Sequence, residues 1–546
     1  MLLPYSRTDS RRVPFFIAAL LALLSAVLLD FAFPVAGPLP VWRGCFGWFA
    51  LVPLLFALLA PADFKSAAYV RRSALIAYVC GVTWYVLNCY WIYQTMTQYA
   101  QGVSWAGGVG ILLLFSGILG LYFALFGLVL AFLRRVSGGI VVPLVVAPFL
   151  WTSIELLAAH LTSVPWDQFG YSQVDNLLLT RIAPFTGSYG ISFVLVAANA
   201  LLAYALLTDD IHQRLRTGIG AALLIVLLQL GSFLTAKPSA TSNYAVLMQP
   251  NLSVGTDNVW IGPEWNEHGS WMLEQSRRTC TPAYAGMPDS RSKPDETWCG
   301  QNVPPPGLVV WPEAQSPFRS DDPHLIALTS KIATTVHAPV VAGMLGHDEG
   351  GIYNSAVVTA PDGAALGRYD KIHLVPFGEY IPYRNVFFFA HQLTAQLADL
   401  QRGKSRTVFR AGGHSFGIFI CYESIFASEI RQFALNGAQV FVNISDDGWY
   451  GDTSAPWQHL NMARMRAVEN HRWILLDTNN GITTAIDPRG RVTSSAPRNV
   501  DTALVARYGY EDDLTFYSRF GDVFGYACGI IVIGALLFFA LRRRPA

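Results

Sequence analysis

Three residues of different chemical type, Glu313, Lys371 and Cys421, are candidates for one reaction centre. Glu313 follows the apolar run 308–312, and Cys421 ends a second apolar run that begins at residue 417 and is typical of a buried strand. A carboxylate, an ammonium and a thiol at strand ends can supply a general base, a stabiliser of negative charge and a nucleophile. We therefore interpret this trio as a candidate active site.

Each of the three residues also has a plainer interpretation when it is taken alone. Cys421 would be a buried structural thiol, since free cysteine is among the most buried residue types. Glu313 would be a strand-end carboxylate that faces water, and Lys371 an exposed loop lysine. The surroundings favour catalysis, because burial behind a core strand raises the pKa of a carboxyl and makes it a usable base. A thiol at a strand-to-helix junction is likewise stabilised as thiolate by backbone N–H groups and a nearby cation.

The composition indicates a membrane protein, or a hybrid of a membrane part and a water-facing part. Hydrophobic residues make up 52% of the chain and charged residues 14%, against about 25% charged residues in soluble domains. The length of 546 residues predicts at least two parts. The net charge of +1 gives no reason to expect a nucleic-acid partner.

Several apolar runs are long enough to cross a bilayer, which takes about 20 residues. They lie near residues 14–32, 44–60, 74–94, 108–133, 140–160, 187–207, 217–235 and 523–541. We therefore predict about eight transmembrane helices, all but the last of them before residue 236.

The placement of the basic residues predicts the orientation in the membrane. Lys and Arg concentrate in alternate loops and at both ends of the chain, at Arg7, Arg11, Arg12, Lys65, Arg71, Arg72, Arg134, Arg135, Arg214, Arg216, Arg542, Arg543 and Arg544. The intervening short loops carry Arg43 and Arg181. By the positive-inside rule both termini are cytoplasmic, and the long segment 236–522 lies on the outer side.

The segment 236–522 has the character of a water-facing domain. Its alternating strand and helix candidates predict an α/β or α+β domain. Strand candidates lie at 244–249, 308–313, 339–345, 353–360, 416–423, 438–445 and 472–478, and helix candidates at 263–277, 322–336, 424–436 and 457–470. We predict three parts: a membrane domain over 1–235, a catalytic domain over 236–522, and a C-terminal transmembrane helix with a basic tail over 523–546.

Two cysteines, Cys280 and Cys299, bracket a loop-like insertion over 280–306 on the predicted outer side. An oxidising compartment would allow a disulfide between them. Spacing alone does not fix its geometry, so the paired and the free state both stay open. No Cys/His spacing resembles a zinc site, and we predict no metal.

Two further features have a functional and a structural interpretation. The aromatic run Phe387, Phe388 and Phe389 is a candidate lid that dips into the outer leaflet, whereas the alternative is core packing under a loop. Glu155 lies inside the fifth predicted span, where an ionisable group is costly and therefore a functional candidate. The alternative is that Glu155 pairs with a neighbouring helix or loop.

The strings around the candidate residues resemble those of the carbon–nitrogen hydrolase, or nitrilase, superfamily. Trp311-Pro312-Glu313 is similar to its glutamate motif, the segment 370–379 to its lysine motif, and the segment 420–423 to its nucleophile motif. Further similar strings occur at 165–173, 449–451, 457–459, 463–467 and 479–483. With spans on both sides, nearly the whole chain resembles the bacterial apolipoprotein N-acyltransferase family.

The resemblance implies a Glu-Lys-Cys triad on a nitrilase-like αββα sandwich. Glu313 would be the general base, Lys371 the oxyanion stabiliser and Cys421 the acylated nucleophile. It also implies supporting roles for four further residues, Glu379, Tyr422, Glu423 and Trp260. Asp446 departs from the family pattern, which usually has asparagine there. We predict no cofactor.

Family membership implies an acyl transfer in two steps. The donor would be a phospholipid, typically phosphatidylethanolamine, and the acceptor the α-amino group of a diacylglyceryl-cysteine apolipoprotein. A thioester on the nucleophile would connect the steps in ping-pong order, with water excluded. Both substrates keep their acyl chains in the bilayer, so the site must open towards membrane lipid. We expect a monomer in the bacterial inner membrane, with the catalytic domain on the periplasmic side.

Two other functions compete with this interpretation. A membrane-tethered amidase of the same superfamily would use Glu313, Lys371 and Cys421 with water as acceptor, but a single span would suffice to anchor it. A transporter with an outer sensory domain would need polar or broken helices near the bilayer midplane. The predicted spans are mostly Leu, Val, Ala and Phe, which weakens the transporter hypothesis.

Overall fold

The computed structural model describes residues 13–61, 63–99, 103–235, 237–254, 263–278, 304–313, 319–376, 378–380 and 400–542. The chain divides into two compact units. The helical unit comprises Met1–Tyr93, Gly108–Thr235 and Asp522–Ala546, and the sheet unit comprises Gln94–Gly107 and Ala236–Gly521. The short segment 94–107 therefore groups with the sheet unit, although it precedes that unit by well over a hundred residues in the chain.

The first 235 residues are mainly helical. The α-helices there are α1 Phe15–Phe31, α2 Val52–Leu59, α3 Ala67–Asn88, α4 Trp91–Tyr99, α5 Trp105–Ser137, α6 Val141–Leu161, α7 Ala183–Thr186, α8 Ser188–Leu207 and α9 Ile211–Gln229. A 3₁₀ helix, Val41–Trp48, precedes α2. Each of the predicted spans in this part overlaps one of these helices.

Within the described residues, six helical stretches are long and apolar enough to cross a membrane. They are Val41–Leu59, Trp105–Ser137, Val141–Leu161, Ser188–Leu207, Ile211–Phe233 and the C-terminal Val523–Leu541. The pair α3 and α4, bent by 51°, forms a seventh if it is one span, and α1 is apolar but shorter. The chain is therefore a multi-span membrane protein, and the count of eight spans stays a prediction.

The helical unit has an apolar outside and hydrogen-bonded polar groups inside. Large apolar side chains such as Leu223 and Ile530 are exposed, as expected for helix faces in contact with lipid. Inside, Ser25 Oγ donates to the carbonyl oxygen of Ala50 (2.6 Å), and Asn199 Oδ1 accepts from the N–H of Leu51 (2.8 Å). Such polar contacts hold membrane helices together, because the hydrophobic effect does not favour helix association within lipid.

The sheet unit contains two six-stranded sheets. The first sheet has the order β12-β1-β2-β3-β4-β5 and the second the order β11-β10-β9-β8-β7-β6. The strands are β1 Asn243–Gln249, β2 Leu308–Val310, β3 Val340–Asp348, β4 Gly351–Thr359, β5 Ala365–Asp370, β6 Val408–Ala411, β7 His414–Ile420, β8 Val440–Ser445, β9 Trp473–Thr478, β10 Thr484–Ile486, β11 Val492–Ser495 and β12 Thr502–Tyr508.

The centre of each sheet is parallel. Strand β2 pairs in parallel with β1 and β3, and β8 pairs in parallel with β7 and β9. All six residues of β8 are buried, as expected for a strand covered on both faces. Parallel strands send their carboxyl ends to the same edge, which is where ligands bind in such sheets.

Helices cover the outer face of each sheet. The α-helices of this unit after residue 235 are α10 Pro263–Ser276, α11 Pro323–Val336, α12 Ala427–Leu435, α13 Ala455–Asn470 and α14 Phe516–Phe520, whereas α15 Val523–Leu541 belongs to the helical unit. Met272 of α10 and Ile332 of α11 join Val246 and Val309 in one buried cluster. Helices α12 and α13 contact β7 and β9, and β1 contacts β9 across the interior. The layers therefore run helix, sheet, sheet, helix, and the predicted αββα sandwich is confirmed.

The predicted strands and helices of this unit all exist, with shifted ends. The strand predicted at 416–423 ends at Ile420, because Cys421 has a φ of 50° and begins a 3₁₀ helix, Cys421–Ile425. The helix predicted at 424–436 accordingly begins at Ala427. The sequence did not indicate β5, β6, β10, β11 and β12. Strand β5 leaves its first three residues exposed, so it lacks the apolar alternation that marks a half-buried strand.

Candidate active site

The ammonium group of Lys371 lies between two carboxylates. Its Nζ is 2.9 Å from Glu313 Oε1 and 2.9 Å from Glu379 Oε1. Lys371 directly follows β5, Glu313 lies three residues beyond β2, and Glu379 comes from the loop after Lys371. Burial of the lysine, which is 1% exposed, disfavours its charged form. The two carboxylates outweigh this effect and hold the pKa of Lys371 well above its usual range.

Asn354, on β4, also forms hydrogen bonds to both carboxylates. Its Nδ2 donates to Glu313 Oε1 (2.6 Å) and to Glu379 Oε1 (2.7 Å). Its backbone carbonyl also accepts from the N–H of Lys371 at 2.8 Å. One asparagine therefore contacts three charged groups, a role that its sequence context did not indicate.

The second oxygen of Glu313 contacts the loop after β8. Glu313 Oε2 accepts from the backbone N–H of Asp446 at 2.9 Å. The Asp446 side chain turns away and accepts from the N–H of Gly448 (3.1 Å) and from Asn479 Nδ2 (3.2 Å). Burial, and then the negative charge of Glu313, raises the pKa of Asp446 to about 7. Glu313 is thus held at both oxygens.

The thiol of Cys421 lies at the end of β7 in a left-handed backbone conformation. A φ of 50° is uncommon for a residue with a side chain and often marks a functional site. The residue is 6% exposed. Burial, reinforced by Glu313, raises the pKa of Cys421 well above its usual range, while Lys371 opposes the rise. The resting group is therefore a protonated thiol in the electrostatic field of Glu313 and Lys371, and it needs a base to react.

Glu423 joins the turn that carries Cys421 to the loop that carries Lys371. Glu423 Oε1 accepts from the N–H groups of Ile372 (2.7 Å) and His373 (3.1 Å), and Oε2 accepts from the N–H of Ile420 (2.7 Å). Tyr369 adds its hydroxyl, 2.9 Å from both oxygens. The carboxylate is thus a cross-link between the two sheets, because β5 and β7 belong to different sheets.

A buried histidine, His459, contacts the turn that carries Cys421. His459 Nε2 lies 3.0 Å from the carbonyl oxygen of Cys421 and 2.7 Å from Ser424 Oγ, while Nδ1 lies 3.2 Å from Asp447 Oδ1. Burial lowers the pKa of His459, but Asp447 outweighs it and the net shift is upward. With a proton on Nε2, His459 donates to the Cys421 carbonyl and holds the strained turn.

The structure brings together five of the candidate site residues predicted from the sequence. Glu313, Lys371 and Glu379 are in direct contact, and Cys421 and Glu423 are joined to them as described above. Tyr422 is buried, and its ring packs edge-on against Phe426 with centroids 5.3 Å apart. Trp260, Phe387, Phe388, Phe389, Cys280 and Cys299 lie outside the described residues.

Three contributors to the site were not selected from the sequence: Asn354, the backbone N–H of Asp446, and the Asp447–His459 pair. The string around His459 was noted as similar to the superfamily, which was the available signal for it. Nothing in the sequence marked Asn354, because its position depends on how β4 pairs with β5.

Among the described residues, one cluster of side chains is spaced closely enough to hold a metal ion. His471, Glu511 and Asp513 offer ligand atoms close to one another. Asp513 is already paired with His471 Nδ1 at 2.8 Å, and Arg472 Nη1 lies 3.6 Å from it. The guanidinium disfavours a metal ion at this position, since it adds a positive charge beside the ligands.

Glu155 is held by its neighbours within the helical unit. Its Oε1 accepts from Trp151 Nε1 (2.9 Å), one turn earlier on α6, and from the N–H of Phe169 (2.8 Å) in the following loop. Pairing with a neighbouring loop was the structural alternative for this residue, and the structure agrees with that alternative.

Known protein families match both parts of the chain. Residues 304–508 match the Carbon-nitrogen hydrolase family, and residues 25–201 match the Apolipoprotein N-acyltransferase N-terminal domain. Among solved structures, Saccharomyces cerevisiae Nit3, a member of the nitrilase superfamily, aligns with 19% identity and a TM-score of 0.34 over 50% of this chain and 92% of its own.

Curated relatives align with almost the whole chain. An Apolipoprotein N-acyltransferase of Geobacter metallireducens is 32% identical over 535 residues, which are 95% of this chain and 95% of that protein. A second, of Methylococcus capsulatus, is 32% identical over 554 residues and covers 97% of each chain. With this identity over almost its whole length, the chain belongs to the apolipoprotein N-acyltransferase family.

Proposed function

We propose that this protein moves an acyl chain from a phospholipid, phosphatidylethanolamine, to the N-terminal amine of a diacylglyceryl-cysteine apolipoprotein. The observation that carries the proposal is the buried cluster of Glu313, Lys371 and Glu379. The charges of Glu313 and Lys371 act on the thiol of Cys421. The family membership supports the same reaction.

In the first step Glu313 takes the thiol proton, and the Cys421 sulfur attacks the ester carbonyl of the donor. Lys371, fully charged between its carboxylates, stabilises the oxyanion together with backbone N–H groups near Tyr422. The carbon–oxygen bond then breaks, the proton on Glu313 passes to the leaving oxygen, and a lysophospholipid departs. A thioester on Cys421 remains.

In the second step the apolipoprotein amine attacks the thioester carbonyl. Glu313 takes a proton from the amine, the carbon–sulfur bond breaks, and the thiolate recovers that proton. The products are an amide and the free enzyme, so the order is ping-pong. Exclusion of water separates this reaction from hydrolysis by an amidase with the same three residues.

We further propose the arrangement of the protein in the membrane. The basic residues of alternate loops support cytoplasmic termini and a catalytic segment, 236–522, on the periplasmic side of the bacterial inner membrane. The membrane domain would then span 1–235 and the C-terminal anchor 523–546. The protein would act as a monomer, and Phe387, Phe388 and Phe389 would form a lid towards lipid.

An acylation assay tests the function. Purified protein is incubated with phosphatidylethanolamine that carries a labelled acyl chain, and a hydroxylamine-sensitive label on the protein is measured. The label should transfer to an added diacylated lipopeptide as an amide. Cys421→Ala should abolish labelling, whereas Cys45→Ala, a matched control, should keep it. Equal labelling of Cys421→Ala and wild type would refute the proposal, and release of free fatty acid without lipopeptide would favour the amidase.

A further inference from the structure

The helical unit contains a cavity, and none of its lining residues belongs to the cluster around Cys421. The cavity has a volume of about 50 Å³ and forms where the ends of α1, α3 and α6 meet the loop 164–169. Rings make up much of its wall, among them Trp84, Tyr85, Phe123, Trp151 and Trp166. A cavity of about 10–15 Å³ already accommodates one water molecule, so this one has room for a small polar group.

Asp167 brings a buried carboxyl into this cavity. Its backbone has a φ of 49°, an uncommon value for a residue with a side chain, and the residue is 1% exposed. Oδ2 accepts from Asn88 Nδ2 at 2.9 Å, while Oδ1 has no hydrogen-bond partner among the described residues. A buried polar atom in this condition is costly, and its position in the cavity wall points to a ligand that donates a hydrogen.

The chemistry of the wall selects the class of ligand. Glu155 contributes a second carboxyl, and none of the lining residues is basic. Aromatic faces and carboxylates attract cations, and aromatic cages bind alkylammonium groups in particular. A Ca²⁺ or Mg²⁺ ion instead needs about six oxygen ligands, whereas this wall is mainly apolar. The surroundings therefore favour an organic ammonium.

We propose that this cavity, with Asp167 as its anchor, binds a primary alkylammonium group. The choice of natural ligand rests on the proposed function, whose two substrates each carry such a group. In the donor it is the head group of phosphatidylethanolamine. In the acceptor it is the α-amino group, which would bind here as an ammonium before it loses a proton and moves to the thioester on Cys421.

Direct binding tests the site without any acyl transfer. The Cys421→Ala protein in detergent is titrated calorimetrically with hexylammonium and with hexanol, its uncharged counterpart. Hexylammonium should bind at least tenfold more tightly than hexanol, and Asp167→Asn should remove that preference. Asp209→Asn, which neutralises an exposed carboxyl, should leave it unchanged. Equal binding of hexylammonium with and without Asp167→Asn would overturn the proposal.

A second variant separates loss of ligand binding from loss of folding. Trp84→Leu removes one ring of the wall and keeps an apolar side chain, so it should weaken hexylammonium at least threefold and leave hexanol unchanged. Parallel loss of both ligands in a folded protein, shown by an unchanged elution volume, would count against the ammonium site.

Acylation kinetics then identify the source of the ammonium group. If the donor head group binds here, Asp167→Asn slows acylation by phosphatidylethanolamine about tenfold and leaves acylation by phosphatidylglycerol unchanged. If the acceptor amine binds here, acylation is unchanged and the transfer to lipopeptide slows. No effect on either step would overturn a role in the reaction. Absence of acylation in the wild type would refute the proposed function and leave the calorimetric test standing.

Discussion

Replacing Glu423 by glutamine should disrupt the site while keeping the size of the side chain. The carboxylate accepts from three backbone N–H groups and one hydroxyl. An amide retains one accepting oxygen, which can still face Ile372 and His373. Its NH₂ group must then face the N–H of Ile420, donor against donor. The variant therefore loses the hydrogen bond to Ile420, the last residue of β7, which directly precedes Cys421.

The size of the effect follows from these contacts. One buried N–H without an acceptor costs about 1–3 kcal/mol, and two charge-assisted bonds that become neutral cost about 1 kcal/mol more. A total of about 2–4 kcal/mol destabilises a typical protein without unfolding it. Because the link also fixes Lys371 relative to Cys421, a shift of about 1 Å between them should slow acylation about a hundredfold.

Single-turnover acylation with labelled phosphatidylethanolamine measures this rate, and a thermal melt measures the stability. Glu349→Gln, an exposed carboxyl in the same unit, is the matched control and should change neither. A Glu423→Gln protein that melts several degrees lower but acylates within threefold of wild type would refute the positioning role. An unchanged melting temperature would refute the destabilisation that we derive from the lost hydrogen bonds.

Three further predictions concern pH, a cross-link and the lid. Because the folded state raises the pKa of Asp446 from 3.8 to about 7, the stability that this group adds is complete below pH 3.8 and is lost as pH rises through 7. Asp446→Asn should flatten the melting temperature across that window, and a profile identical to wild type would contradict this. If Cys280 and Cys299 are paired, denatured unreduced protein should expose five of the seven thiols; seven would exclude the disulfide. Serine at positions 387–389 should slow acylation from vesicles about tenfold but not from a short-chain soluble donor, and equal slowing of both would contradict a lid.

The parts of the site that follow strongly apolar strands were predictable from the sequence. Glu313 and Cys421 come after runs whose burial is evident from their residue types, and both were selected. Lys371 was selected from the surrounding string, although β5 before it was not predicted. The exposed, partly polar residues of β5 gave no strand signal, and only its pairing with β4 places it in the sheet.

The contributors that were not predicted depend on tertiary contacts. Asn354 is an ordinary polar residue of β4 until the fold brings its side chain into contact with Glu313 and Glu379. Asp446 contacts Glu313 through its backbone N–H, a group that every residue except proline has, so the residue type gave no signal. The left-handed φ of Cys421 is equally invisible in the sequence, because its neighbours Ile420 and Tyr422 are typical of a strand that continues.

The cluster of two carboxylates and one ammonium has a consequence for chemistry beside a membrane. With the thiol protonated it carries one net negative charge. The same total holds when the proton moves from Cys421 to Glu313, and again in the thioester form after the leaving group has taken that proton. The proposed cycle thus never changes the total charge of the buried site. Each turnover is electroneutral within the protein, so no ion has to enter or leave a region where an uncompensated charge would be costly.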